Sequence, residues 1–168
     1  ITGQEGGKLT RVGTSIGDIT AGLFTAIGIL AALRYRDETG IGQKVDVAML
    51  DSQLAILENA VARFTVLGEI PTPKGNRHPS IVPFEPFEAN NGEIMIAVGN
   101  DALWAKFCKV TDLENLIDDE KYKINPLRSE NYASLRPLIA EKIKMKSVEE
   151  WIELLNDGGV PNGPINTV

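Results

Sequence analysis

The residues of this chain that can do chemistry are few, and the most suggestive of them lie in one stiff segment. Residues 69–86 carry five of the nine prolines, at Pro71, Pro73, Pro79, Pro83 and Pro86. At the centre are Gly75, Asn76, Arg77 and His78. Proline fixes the backbone and glycine lets a ligand approach it closely, so this loop can present its amides to a developing oxyanion. His78 is the only histidine; it either contacts a ligand or caps a turn.

Other candidate groups have simpler explanations. With one cysteine and one histidine, the chain lacks the ligands of an ordinary zinc site, and we predict no metal site. Glu85 and Glu88 lie three apart in a predicted strand, so they face opposite sides and form no acid/base pair. Cys108 lies in an apolar helix and is expected to be packed. Helix capping accounts for the aspartates at Asp18, Asp51 and Asp101.

Nucleotide-binding motifs are not indicated. Gly40 and Gly42 resemble part of a dinucleotide fingerprint, but they follow a helix and precede a predicted strand, which is the wrong order. The formal net charge is −6 and the pI about 4.9. Because affinity for the phosphate backbone needs excess positive charge, we expect no nucleic-acid partner.

The composition is that of a globular domain. The 168 residues are 43% apolar and 24% charged, enough for one domain with a core or for a small domain and part of another. A single cysteine gives no sign of an oxidising compartment, and the start shows no targeting segment, so we expect a cytoplasmic protein. Since the chain opens on Ile1 and ends in a loop, we also expect it to be a piece of a longer polypeptide.

The elements that must position the loop follow from periodicity. Residues 19–33 carry no charge and predict a helix that is apolar all round, and therefore buried. At 15 residues this stretch is shorter than the roughly 20 that a membrane span needs, so we expect no membrane contact. Alternation in Gln43–Leu50 predicts a short buried strand, followed by a helix that begins at Asp51 and ends at Gly68.

The second half predicts a hairpin and several helices. Asn90-Asn91-Gly92 between two apolar runs is a strong hairpin signal. Asn100 is a predicted cap for the next helix, and Ser147 with Glu150 forms a predicted capping box. Helices and strands in this order favour an α/β fold.

Three stretches together resemble the family III CoA-transferases, which include formyl-CoA transferase and the carnitine and bile-acid enzymes. They are residues 12–33, residues 39–51 (Thr-Gly-Ile-Gly-Gln-Lys-Val-Asp-Val-Ala-Met-Leu-Asp) and residues 75–101, which open on Gly75-Asn-Arg-His-Pro79. Residues 160–168 match the family pattern as well. The similarity runs in register along essentially the whole chain.

The resemblance implies an architecture. The family has a large Rossmann-like domain, connecting helices and a smaller α/β domain, and its two subunits interlock as a homodimer. Residues 1–42 would then be a loop and the buried connecting helix of the large domain. Residues 43–168 would form the small α/β domain, with a hairpin-containing sheet and packed helices, and the boundary would fall within 43–74.

The resemblance also implies a reaction. Family enzymes move CoA from an acyl-CoA to a carboxylic acid through an aspartyl intermediate, with CoA as a substrate and no separate cofactor. The nucleophilic aspartate would lie upstream of Ile1, so we expect no catalytic residue here and an inactive isolated piece. Gly75, Asn76, Arg77 and His78 would correspond to the family's glycine-rich active-site loop; the last three depart from it, which suggests a different acceptor acid that Arg77 or His78 could contact.

Two alternatives stay open. Racemases of the same family carry a glutamate shortly after an Ala-Val-Gly-Ala-type run, used in proton abstraction. Here Ala97-Val98-Gly99 is followed by Asn100-Asp101-Ala102, so that glutamate is not matched and transfer is favoured over racemisation. The isolated chain could also be a non-catalytic interaction domain.

Overall fold

The computed structural model of the chain describes residues 1–167; Val168, the last residue of the predicted small domain, lies outside the described residues. The backbone divides into two compact units, Ile1–Gly75 and a second that begins at Asn76. Seven α-helices and a three-stranded antiparallel sheet in the described part confirm the α/β prediction. The first unit contains α1 (Ile16–Thr39), α2 (Met49–Ala55) and α3 (Glu58–Leu67). The second contains β1 (Phe84–Glu88), β2 (Glu93–Ala97), α4 (Asp101–Val110), a short 3₁₀ helix (Glu114–Leu116), α5 (Asn125–Glu130), α6 (Tyr132–Ile143), α7 (Val148–Asp157) and β3 (Asn162–Pro164).

Helix α1 is more exposed than the sequence predicts. It runs through 24 residues because Arg34, Arg36 and the residues after them continue the turns, and it ends where Gly40 adopts a left-handed φ of 72°. Thr20 is its only buried residue within the described chain. By length and composition alone α1 could cross a membrane, with a mean hydropathy of 1.8 over 18 residues, although core helices of soluble proteins pass the same test. The length argument against a membrane span therefore fails, and the absence of membrane contact stays a prediction.

Small residues let the first unit pack closely on α1. Gly17 faces the Met49 side chain, and a Cβ on Gly28 would lie 2.8 Å from a methyl of Val45. The Gln53 amide donates to the Thr20 hydroxyl at 2.6 Å, which joins α2 to the first turns of α1. Glycine at position 28 is therefore required by close approach rather than by backbone conformation.

Two predictions for the first unit are wrong in detail. No strand forms over residues 43–50 in the described chain; 43–48 are irregular and α2 begins at Met49. The helix predicted from Asp51 to Gly68 is two helices with a break at Ile56 and Leu57, and Asp51 lies inside α2, whose N-cap is Ala48. Gly68 does end α3, with a left-handed φ of 68°.

The sheet of the second unit is the predicted hairpin with one added strand. β1 and β2 pair antiparallel from Phe84 opposite Ala97 to Glu88 opposite Glu93, and the Ala89 amide donates to the Gly92 carbonyl across the turn at 2.7 Å. β3 pairs with the other edge of β2. Asn91 in the turn accepts the Val148 amide at 2.9 Å, which fastens the hairpin to the start of α7.

The buried apolar core lies in the second unit. Most of its fully buried side chains come from β1 and β2, the residue after β2, α4, α6 and α7, and they include Phe87, Ile94, Ile96, Val98, Trp104, Phe107, Leu135, Ile139, Ile143 and Leu155. Helices α4 and α7 begin where the sequence predicts. Asn100 accepts the Leu103 amide at 2.9 Å, and Ser147 and Glu150 form both bonds of the capping box. The sheet and its helices thus give residues 76–83, which lead into β1, a rigid base.

Candidate functional site

The predicted loop contains the point along the chain at which the first unit ends and the second begins. Gly75 is the last residue of the first unit, and Asn76, Arg77 and His78 open the second. Gly75 has a left-handed φ of 65°, which disfavours any side chain there. Asn76 is exposed, whereas Arg77 and His78 are half-buried. We refer to residues 76–83 as the presenting segment.

His78 closes the presenting segment on itself. Its backbone N–H donates to the Phe84 carbonyl at 2.9 Å, and its ring stacks on the Phe84 ring at 5.1 Å. Nδ1 accepts the amides of Ser80 and Ile81 at 3.2 and 3.1 Å. An imidazole nitrogen that accepts is unprotonated, so this geometry holds the proton of a neutral ring on Nε2. His78 thus caps the turn through Nδ1, as one of the two alternatives predicts. A contact between His78 and a ligand stays a prediction.

Arg77 is part of a polar cluster that the sequence does not predict. Its guanidinium lies 4.1 Å from the centre of the Tyr132 ring, within range of a cation–π contact. The Tyr132 hydroxyl donates to Glu85 Oε2 at 2.9 Å, and Arg136 Nε donates to the same oxygen at 2.9 Å. The Glu85 side chain is only 6% exposed. We call these four residues the Arg77 cluster; it joins the presenting segment, β1 and α6.

Burial and hydrogen bonding shift the pKa values of two groups in this cluster. Burial, with the hydrogen bond to Glu85 adding to it, raises the pKa of the Tyr132 hydroxyl to about 12. The hydrogen bond to Glu85 is also the main cause that raises the pKa of the Arg136 guanidinium. The neutral tyrosine and Arg136 thus donate to the same oxygen of the buried Glu85, and Arg77 brings a second guanidinium to the cluster.

A second network ties the presenting segment to α5. The Asn125 side chain accepts the Val82 amide at 3.0 Å and donates to the Ser80 carbonyl at 2.8 Å. Arg128 donates to the Val82 carbonyl at 2.8 Å and to Asp101 at 2.7 Å, and its side chain is fully buried. Asp101 is therefore ion-paired and is not poised as a base.

The remaining candidate groups stay outside this site. Burial raises the pKa of the Cys108 thiol to about 12, so it is protonated and packed as predicted. Across residues 1–167 no group of three or more His, Cys, Asp or Glu side chains has the arrangement of a metal site. Two open clefts of about 230 and 270 Å³ flank α1 in the first unit. Asp46 and Asp51 line the first, but Asp46 pairs with Lys44 at 2.7 Å, which leaves no coupled acid/base pair.

Solved structures share this fold. A CAIB/BAIF family protein from Brucella suis is 34% identical and superposes with a TM-score of 0.77 over 99% of this chain and 44% of its own. Rv3272 from M. tuberculosis, 24% identical, superposes with a TM-score of 0.83 over 99% of this chain and 42% of its own, which shows the fold alone.

The family profile of the family III CoA-transferases matches residues 1–168. The chain belongs to the CoA-transferase family III, as the sequence resemblance predicts.

Curated relatives are similar along the whole chain. The human succinyl-CoA:glutarate CoA-transferase is 36% identical over 100% of this chain and 38% of its own length. The succinyl-CoA:mesaconate CoA-transferase of Haloarcula hispanica is 39% identical over 98% of this chain and 41% of its own. The acetyl-CoA:oxalate CoA-transferase of Acetobacter aceti is 35% identical over 98% and 42%. The chain thus spans about two fifths of the length of the curated relatives it matches.

Sequence reasoning missed most of the residues that hold the loop. Tyr132 and Arg136 contact Glu85 across about fifty positions, and no local pattern marks such a pairing. Asn125 had a usable signal, because Asn125-Pro126 is typical of a helix start and predicts a polar side chain at a helix end. Arg128 offered none, since a buried arginine is rare and cannot be told from a surface one by spacing.

Proposed function

We propose that the full-length protein moves CoA from an acyl-CoA thioester to a carboxylic acid. The observation that carries the proposal is the match of the family profile along residues 1–168. The names of three relatives support a narrower version: glutarate, mesaconate and oxalate are all dicarboxylic acids. We therefore propose a dicarboxylic acid as the acceptor.

The proposed chemistry is covalent and uses an aspartate outside this chain. Its carboxylate attacks the thioester carbonyl, the CoA thiolate leaves, and an acyl-aspartyl anhydride forms. The thiolate then attacks the aspartyl carbonyl and releases the donor acid, which leaves CoA on the enzyme as a thioester. The acceptor carboxylate attacks that thioester, and the thiolate takes the acceptor's acyl group from the new anhydride, so the aspartate is regenerated. CoA is a substrate throughout.

Within this chain the proposed contribution is recognition of the acceptor. A guanidinium presents paired donors that match a carboxylate, and that of Arg77 stacks on Tyr132, which limits its rotamers. The amides of Asn76 and Arg77 and the His78 side chain complete the proposed contact surface, since the Gly75 amide donates to the Gly3 carbonyl at 3.0 Å.

The proposal is tested in the full-length enzyme by Arg77→Ala. A charge-assisted hydrogen bond contributes about 1.5–3 kcal/mol, so KM for the acceptor acid should rise about 10- to 100-fold while KM for the acyl-CoA donor changes little. Arg77→Lys should recover only part of the loss, because lysine lacks the planar fork.

Lys144→Ala provides a matched control for the lost charge. Lys144 follows α6 and pairs with the exposed Glu88 at the end of β1 at 2.9 Å, outside the Arg77 cluster, so this variant should leave both KM values unchanged. Equal increases in donor and acceptor KM for Arg77→Ala would reject the acceptor role. An enzyme that exchanges the α-proton of an acyl-CoA but transfers no CoA would reject transfer and favour the racemase alternative.

We extend the proposal to the architecture. Residues 1–42 would belong to the large domain and residues 43–168 to the small one, in a cytoplasmic, interlocked homodimer. The exposed large apolar residues of α1 support it, since eight of them, including Leu23, Ile27 and Leu30, are open to solvent and call for a protein cover. Cross-linking and sedimentation of the full-length protein test the dimer; a monomer at micromolar concentration would reject it.

A further inference from the structure

We propose that Asn125 and the Asp101–Arg128 pair are positioning residues that fix the reach of Arg77 and so decide which acceptor acids are used. The inference rests on the proposed function. It concerns side chains on α4 and α5 that stand outside the predicted loop.

Asn125 fastens the presenting segment through its backbone. Its Oδ1 accepts the Val82 N–H at 3.0 Å, and its Nδ2 donates to the Ser80 carbonyl at 2.8 Å. Both bonds go to main-chain atoms two residues apart. They therefore set the path of the chain whatever side chains residues 80 and 82 carry.

Arg128 fastens the same place from inside the unit. Its Nε donates to the Val82 carbonyl at 2.8 Å, so both polar groups of the Val82 peptide backbone are engaged by α5. Its Nη2 donates to Asp101 Oδ1 at 2.7 Å, and that oxygen also accepts the Asn125 amide at 3.0 Å. The guanidinium is planar and fully buried, which leaves it little freedom to follow a displaced segment.

The anchored residues, Ser80 and Val82, lie close enough to Arg77 along the chain to affect its position. Ser80 follows Arg77 by three positions, and His78 hydrogen-bonds to Phe84, Ser80 and Ile81, which restrains the segment between them. A shift of Ser80 or Val82 therefore carries through to Arg77 with little loss. A displacement of about 1 Å is enough to disrupt a reactive geometry. Loosening this anchor should therefore weaken acceptor binding.

The test is Asn125→Ala in the full-length enzyme, with two readouts. Amide hydrogen exchange at Ile81 and Val82 should accelerate at least about tenfold, because Val82 loses its acceptor. KM for the acceptor acid should rise about tenfold while KM for the acyl-CoA donor stays within about twofold. A structural defect alone would move both KM values or neither.

Asn131→Ala is the matched control. Asn131 lies at the next helix end and donates to the Leu127 carbonyl at 2.9 Å and to the Lys121 carbonyl at 3.4 Å, so it holds α5 without bonding the presenting segment. This variant should lose stability but keep the acceptor KM. A double variant separates direct from indirect action: if Asn125 acts through Arg77, adding Asn125→Ala to Arg77→Ala should raise the acceptor KM no further.

Each outcome of these experiments supports or rejects the positioning role. Faster exchange with a selective rise in acceptor KM supports the positioning role. Unchanged exchange rejects the anchor, and faster exchange with unchanged KM values rejects its effect on specificity. Additive effects in the double variant reject action through Arg77. If the unmodified enzyme transfers no CoA, the proposed function fails, and the exchange measurement still reports separately whether the anchor exists.

Discussion

Replacing Asp101 with asparagine tests the energetics of the network that holds the presenting segment. The asparagine keeps an acceptor oxygen but removes the charge that faces Arg128, whose side chain is fully buried. Burial lowers the pKa of the Arg128 guanidinium, and the hydrogen bond and charge of Asp101 oppose that shift. Removing one partner of a buried pair costs about 3–5 kcal/mol.

The exposure of Asp101 lowers this expected loss of stability. Its side chain is 50% exposed, so water screens part of the interaction, and we discount the cost to about 2 kcal/mol. Both tryptophans, Trp104 and Trp151, lie in the second unit, so their fluorescence follows the unfolding of about 90 residues. At about 4–8 °C per kcal/mol for a unit of that size, the midpoint should fall by about 8–16 °C.

The control is Glu88→Gln, which removes an exposed carboxylate from its pair with Lys144 and should leave the midpoint unchanged. Thermal scans of the two variants and the unmodified protein at one concentration and pH make the comparison. A fall of less than about 3 °C for Asp101→Asn would show that Arg128 is held by its carbonyl acceptors alone, and would refute the reasoning.

Two further predictions concern the same unit. Ser147→Ala removes one bond of the capping box at the start of α7 and should cost about 1 kcal/mol in a urea titration followed by fluorescence; Ser129→Ala, which loses only a 3.5 Å contact with Ser80, should cost less. The pKa of Cys108 and that of Tyr132 are each raised to about 12, above their usual values near 9 and 10, so folding favours their protonated forms. Their stabilisation is complete below about pH 9 and is lost as the pH rises toward 12; Cys108→Ala should flatten that loss, and an equally steep decline would contradict the assignment.

Local signals in the sequence predicted the local structure well. The Asn91-Gly92 turn, the Asn100 cap and the capping box at Ser147 all depend on residues a few positions apart, and all are confirmed. The strand predicted for residues 43–50 failed because alternation of Val45, Val47 and Met49 needs a neighbouring strand, and none pairs with it among residues 1–167. The break between α2 and α3, at Ile56 and Leu57, contains no Gly or Pro, so the sequence did not predict it.

The candidate site was predictable only in part. Composition located the loop, since glycine and proline constrain the backbone directly. What holds the loop could not be read, because Asn125 and Arg128 meet it across more than forty positions and only the folded sheet and helices bring them there. The burial of Glu85 beside Arg136 is likewise a product of tertiary packing.

The shared oxygen of Asp101 has a consequence for how related sequences can vary. One atom receives the first amide of α5 and the guanidinium of Arg128. A glutamate at position 101 would have a side chain longer by one methylene, which would move the shared oxygen. An apolar residue there would leave the buried Arg128 guanidinium without its carboxylate. The residue types at positions 101 and 128 should therefore covary among related sequences, while the exposed residues of α4 and α5 vary independently.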